Sequence, residues 1–541
     1  MRFRWFFTSV AVVCGVALLL LALAELGWWR QRYNVIVLTV ESARAEVLSP
    51  ETTPHIWRAA EQGVRFESHR AVSGWTAANI VSLLSGLTPF AHGIHGRDQH
   101  VPADWPLPLK DLATAGYKAA GLQPFQLVEG FRALGLDIEP GANLVAWLAR
   151  QTERRQPFVL WYHYLDTHLP YAPPEAYRPD PASLVPADDH GARARLQAVM
   201  TMPAIVAGSV PFEPSDRAAI HALYLAGFRA FDAWFGNLWH FIEASGLREN
   251  TIVVLTADHG EEILERGQVG HASTTRAGHL HEEIVRIPLV IWVPPSFRAP
   301  PAGAIKTPSA HTDVMPTLLA LLGRKASREL PGRDLFSSGN ERPWLGLTSG
   351  AGFAEPEPFN IPRFVGAIAD RNWKLHVVRD HGVDRDISLY DLESDPAELI
   401  NLADRRPDIV NRLRDLLVAH VLSMRLSPAP GAGSGDAAAP SPRWIFPATS
   451  GSMRYDDVSG RFRLEWSGDA SRVYRVQYEA GRGTLSLRGE FDVQGTIRDF
   501  GTLDRRYWNT WVVPYELFRL RVGVAGRDDR WSEWLDLRPR P

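Results

Sequence analysis

The chain has 541 residues, 45% hydrophobic and 22% charged, with Lys+Arg 58 against Asp+Glu 61 and a net charge of -3. At roughly 150 residues per domain this is several units, or one large domain with a smaller companion. Wholesale disorder and fibrous repeats are excluded, the near-neutral balance argues against a nucleic-acid partner, and the single cysteine, Cys14, excludes a disulfide framework or a cysteine-based zinc cluster.

Residues 1–33 read as a membrane segment. Arg2 and Arg4 precede an apolar stretch from Trp5 to Ala24, and about 20 helical residues span a hydrocarbon core. Trp28 and Trp29, then Arg30 and Arg32, fall where interfacial aromatics and flanking cations belong. Two readings stay open: an uncleaved anchor, or a signal peptide cut after Ala22-Leu23-Ala24. Both expect the remainder of the chain on the extracytoplasmic side of a membrane.

Residues 34–426 alternate apolar runs with helical patterns. Val35 to Val40 and Thr251 to Leu255 are β-branched runs of the fully buried kind, which suit a sheet covered on both faces. Thr53-Pro54 predicts a helix start, with Thr53 as cap and proline at the first helical position. Ser73 to Gly86 predicts a second helix opening near Thr76, with Ile80, Val81, Leu83 and Leu84 on its apolar face and Gly86 as terminator. Residues 427–442, almost wholly Ser, Pro, Ala and Gly, predict a linker. In residues 443–541 the period becomes two: Phe462/Leu464/Trp466, Tyr474/Val476/Tyr478 and Phe518/Leu520/Val522/Val524 alternate, as in an antiparallel sandwich. With Trp531-Ser532-Glu533-Trp534 near the end, this module resembles fibronectin type III.

The acidic candidates follow the buried runs. Glu41 comes directly after Val40, and Asp258-His259-Gly260 after Ala257. In open α/β sheets ligands bind beyond the carboxyl ends of strands, so Glu41, Asp258 and His259 make a candidate metal site. Singly, each has a plainer reading as a loop or cap residue. Thr76 likewise reads as a helix cap, or as a nucleophile at the positive end of a helix.

These residues meet a family. Thr76 to Gly86, continued by Leu87-Thr88-Pro89-Phe90-Ala91-His92-Gly93, resembles the sulfatase signature of the alkaline phosphatase superfamily. Glu41 to Glu46 with Thr52-Thr53-Pro54, Asp166-Thr167-His168-Leu169-Pro170-Tyr171, Thr256 to Glu262, Gly270-His271, Glu282 to Leu289, Asp313 to Leu318, Trp373-Lys374-Leu375 and Leu389 to Pro396 follow in the family's order. The resemblance covers nearly all of Asn34 to Ser423. It implies an α/β alkaline-phosphatase-like fold, a mostly parallel sheet between helices with a small C-terminal sulfatase subdomain; the separate all-β sandwich read from the period of two lies beyond the linker.

It also implies site residues. Glu41, Thr76, Asp258 and His259 would hold one divalent metal ion, with zinc, manganese, magnesium and calcium all open. Thr76 would be the nucleophile. His168 and His271 would bind substrate oxygens or protonate the leaving group, with His279 the alternative to His271 because Ala272 to Gly278 looks inserted. Asn79 stands where the signature has an arginine and inherits its substrate-binding role, while His92, His95 and His163 read as structural and Lys374 as a packing or pairing residue. Sulfatases convert a signature Cys or Ser to formylglycine, and a threonine cannot become that aldehyde. The metal set with an unmodified threonine resembles phosphoethanolamine transferases and lipoteichoic acid synthases instead. The expected function is therefore a metal-dependent hydrolase or transferase of phosphate or sulfate esters, on a lipid- or glycan-linked substrate at a membrane, with a formylglycine-independent sulfatase as one alternative and a non-catalytic binding relative as the other.

Overall fold

The computed structural model describes residues 32–540, apart from 95–100, 123–130, 272–277, 350–362, 427–441, 455–460, 503–516, 525–530 and some shorter breaks. The N-terminal apolar run and nearly all of the predicted linker lie outside the described residues. Among the described residues no helix is long and apolar enough to cross a membrane.

An eight-stranded sheet organises the larger part. Its strands are β1 (Asn34–Val40), β2 (Val64–Phe66), β3 (Lys118–Leu122), β4 (Asp137–Ile138), β5 (Phe158–Tyr164), β6 (Thr251–Ala257), β7 (Leu289–Trp292) and β8 (Gly303–Ile305). The spatial order is β8-β2-β7-β6-β1-β5-β3-β4, with β7 antiparallel to both neighbours and the other pairs parallel. Every residue of β1 and β6 is buried. The strand period of two sends Ile36, Leu38, Val40, Val253 and Leu255 into one core and Val35, Val37, Ile252 and Val254 into another on the opposite face. The buried runs are therefore covered on both sides, as their composition predicts.

Helix α1 (Pro54–Ala60) opens at Pro54 as expected, but Thr53 does not cap it. The Thr53 hydroxyl donates to Val47 O, and the Asp232 carboxylate accepts from His55 N and Ile56 N instead. Helix α2 (Thr76–Ser85) and helix α4 (His311–Leu321) pack on the β1 face that carries Val35 and Val37. The long helix α3 (Arg217–Ala244) covers the other, through Ile220, Leu223, Phe228, Phe231, Phe235 and Leu238. Gly86 ends α2 in the left-handed region at φ 72, a conformation that favours glycine.

Beyond this sheet, β9 (Trp344–Ser349), β10 (Arg363–Asp370), β11 (Trp373–Asp380) and β12 (Val383–Asp391) form a four-stranded antiparallel sheet, followed by α5 (Pro407–Leu426). The C-terminal residues form all-β sheets of three and five strands. Leu464, Trp466, Tyr474, Val476, Leu520 and Val522, on the alternating positions read from sequence, are buried there. They belong to one apolar cluster with Leu375, Leu389 and Leu413 of the four-stranded sheet and α5.

Candidate active site

Parallel pairing carries the first residues to one edge. Val40 of β1 lies opposite both Tyr164 of β5 and Ala257 of β6, so Glu41 and Asp258 emerge side by side. Ser42 then turns the chain at φ 58, an uncommon conformation for a side-chain-bearing residue, and its backbone N–H donates to Asp258 Oδ1 at 2.9 Å. His259 N–H donates to the same oxygen at 2.8 Å. Gly260 is required by close approach: a Cβ there would lie 2.1 Å from Glu283 O. The Asp-His-Gly turn thus seats the next loop directly against the site.

Thr76 is the first residue of α2 and makes no capping bond, so its reading as a helix cap is set aside. Its Oγ1 lies 3.4 and 3.5 Å from the Glu41 oxygens and 3.4 Å from His259 Nε2. His259 Nε2 is 3.4 Å from Glu41 Oε1 and 3.2 Å from Asp258 Oδ2. Four donors about 2.0–2.2 Å from a tetrahedral ion stand about 3.4 Å apart, and the separations of Thr76 from Glu41 and His259, and of His259 from Glu41 and Asp258, are of that size. Asp258 Oδ2 supports that fit, being buried without a hydrogen-bond partner. Glu41 also belongs to two overlapping ligand groups, one with His259 and His271 and one with His163 and Asp258.

His271 is brought in by the pairing of Glu262 with Gly270. Its Nδ1 is 2.9 Å from Glu261 Oε1, and its ring centre is 4.1 Å from that of His259 and 5.2 Å from that of His168. His279, the alternative, is bound to Glu262 at 2.9 Å, away from this group. His168 is partly exposed, with its Nδ1 on Leu169 O.

Asn79 corrects an expectation. Its Oδ1 accepts from Val72 N and Ser73 N at 2.9 Å, and its Nδ2 donates to Ser73 O and Trp75 O. Both lone-pair positions and both N–H groups are engaged, and the residue is fully buried. Asn79 is not placed to bind substrate; it ties down the turn that presents Thr76. Asn79→Ala should therefore leave two buried N–H groups unmet, lowering unfolding free energy by about 2–4 kcal/mol. Urea unfolding with steady-state kinetics checks this: a raised KM at unchanged stability would restore the substrate-binding role.

Sequence reasoning missed His163 and Glu261. Trp161 Nε1 donates to Thr39 Oγ1, which is 2.8 Å from His163 Nδ1, and His163 Nε2 is 2.9 Å from Glu41 Oε2. His163 is thereby aimed at the candidate metal group rather than only filling a core. The available signal was its place at the carboxyl end of a buried run. Burial opposes the charge on Glu41, but the His163 hydrogen bond and the fields of His168 and His259 hold its carboxyl well below the usual range. Burial, then the charge of Glu41, pushes Asp258 up to about 6. Burial likewise pushes Glu261 up to about 7. His259 is disfavoured as a cation by burial, yet Asp258 and Glu41 raise it above the ordinary imidazole value.

Fold and site together define a mixed α/β protein, with carboxylates and imidazoles gathered around a hydroxyl at a helix start. The sulfatase family profile matches residues 135–324. The uncharacterized sulfatase YidJ of Escherichia coli is 26% identical over 290 residues, 52% of this chain and 54% of that protein. Arylsulfatase K of Xenopus laevis is 28% identical over 211 residues, 38% of each chain. The chain thus spans about half or less of the length of these curated relatives. Among solved structures, a phosphonate monoester hydrolase of Agrobacterium radiobacter has TM-score 0.56 at 18% identity, over 74% of this chain and 97% of that one. A protein bound to its substrate D-glucosamine-2-N,6-O-disulfate has TM-score 0.56 at 19% identity, over 73% and 98%. The chain is thus similar to the sulfatase family over residues 135–324, and it shares the fold of these two solved structures.

Proposed function

We propose that the chain hydrolyses phosphate or sulfate esters through a covalent intermediate on Thr76. One observation carries the reading: Thr76 Oγ1 caps nothing and lies within 3.5 Å of Glu41 and His259. A divalent ion held by Glu41, Thr76, Asp258 and His259 would lower the hydroxyl pKa and offset charge on the ester oxygens. The Thr76 hydroxyl gives its proton to water, and Thr76 Oγ bonds to phosphorus or sulfur while the ester oxygen leaves. His168 or His271 protonates the leaving oxygen. Water then displaces Thr76 and releases the inorganic anion. Glu261 holds the His271 ring in place at Nδ1. The positive end of α2 favours both the alkoxide and the bound anion.

Phosphorus is the preferred centre, because an unmodified threonine cannot follow the formylglycine route of sulfate release. The relatives support both ester classes by name, as sulfatases and as phosphonate monoester hydrolases. The test is a panel of aryl phosphate monoesters, diesters, phosphonates and an aryl sulfate, with zinc, manganese, magnesium or calcium supplied. We expect turnover of at least one phosphorus ester. Sulfate turnover alone would overturn the preference for phosphorus, and no turnover with any metal would return the chain to a binding role.

A further inference from the structure

We propose a second divalent-cation site, separate from the candidate active site, held by His281, His376 and Glu398. Their ligand atoms lie within 4.8 Å of one another. His281 immediately precedes the short helix Glu282–Val285, His376 stands on β11, and Glu398 follows β12. The group therefore joins the segment leaving the active site to the four-stranded sheet. It shares no residue with Glu41, Thr76, Asp258 and His259.

Both imidazoles approach the Glu398 carboxylate, one at each oxygen. His281 Nδ1 is 3.3 Å from Glu398 Oε2, and His376 Nε2 is 3.1 Å from Glu398 Oε1. Donors about 2.0–2.2 Å from a tetrahedral ion stand about 3.4 Å apart. The two rings lie 4.4 Å apart at 33°, presenting both nitrogens to one carboxylate. His281 Nδ1 is buried and has no hydrogen-bond partner, an unmet polar atom aimed at that carboxylate. Glu398 itself sits at φ 54, in the left-handed region that side-chain-bearing residues seldom adopt.

The protonation states suit a cation. Burial first, then the neighbouring His376, pushes His281 down to about 2, and burial lowers His376 as well. Burial opposes charge on Glu398, but Lys374 and the histidines hold its carboxyl well below the usual range. Two neutral imidazoles and a carboxylate are the forms that ligate metal. The cations already present are matched: Arg70 forks onto Glu282, and Lys374 Nζ lies 2.8 Å from Glu282 Oε1 and 3.1 Å from Glu398 Oε1. Glu398 Oε2 accepts from the Glu282 backbone N–H and keeps a lone pair facing His281. His279 lies close to His281 but is bound to Glu262. The His281 side chain is 13% exposed, although its Nδ1 is buried. A nitrogen-rich set of this kind suits zinc.

The test is zinc stoichiometry by elemental mass spectrometry on the full chain, stripped with chelator and reloaded with zinc alone. Wild type should hold one more equivalent than His281→Gln/His376→Gln, and Asp258→Asn should keep that equivalent. A folded double variant with undiminished zinc, or a folded Asp258→Asn protein with none, would overturn the proposal. If circular dichroism shows the double variant unfolded, His281→Gln alone, altering the partly exposed ligand, carries the same readout and the same two outcomes.

Discussion

Thr76→Ala should eliminate ester turnover, by on the order of 10⁵-fold or more in kcat, the scale on which nucleophile removal is felt. Stability should change by less than about 1 kcal/mol. The asymmetry comes from what the hydroxyl does in the fold. It caps no backbone N–H, its contacts to Glu41 and His259 are loose at 3.4–3.5 Å, and the turn before α2 is held by Asn79 instead. Alanine is also a better helix former than threonine. Thr76→Ser keeps the hydroxyl and should retain measurable turnover. Rapid quench followed by intact-mass analysis should find the ester-derived adduct on wild type and none on Thr76→Ala. Near-normal turnover by Thr76→Ala would assign attack to water and leave Thr76 a ligand only.

The parts of this site that could be read from sequence are those fixed by strand ends. A buried run that stops at an acid puts that acid beyond the sheet edge, and the parallel register of β1 with β6 brings Glu41 and Asp258 together. The helix opening at Thr76 was legible from its apolar spacing and from Gly86. What escaped depends on contacts between elements. His163 becomes a partner of Glu41 only because β5 pairs with β1 in the register Thr39 to His163. Glu261 meets His271 only because the chain folds back between Glu262 and Gly270. Asn79 shows a different outcome: motif position gave it a substrate-binding role, whereas its short amide matches the N–H and C=O groups of the turn beside it. Thr53 fails in the same way, because Asp232, far away in sequence, takes the cap it was expected to supply.

The second large effect concerns Asp258. In the metal-free protein burial and the Glu41 charge push this carboxyl up to about 6, and burial pushes Glu261 up to about 7. Groups raised in this way bind more protons folded than unfolded, so their contribution is complete below the ordinary carboxyl range. It is then lost as pH rises through the folded values. His259, also raised, acts in the same direction. Glu41, held low, acts in the opposite sense but only below its ordinary value, outside this window. Metal-free protein should therefore lose stability between about pH 5 and about pH 8. Metal must displace the same protons, so the stabilisation it confers should grow over that range. Asp258→Asn should abolish turnover and weaken metal binding at the active site by about 100-fold or more, since a ligand carboxylate is gone. The amide oxygen can still accept from Ser42 N and His259 N, so the turn is kept. With one buried charge removed, the metal-free variant should unfold at a higher temperature than metal-free wild type at neutral pH and show a flatter pH slope. Thermal unfolding of both proteins, with chelator and with zinc, reads all of these effects together. An unchanged slope in Asp258→Asn would mean that Asp258 titrates normally and that Glu261 and His259 alone carry the pH dependence.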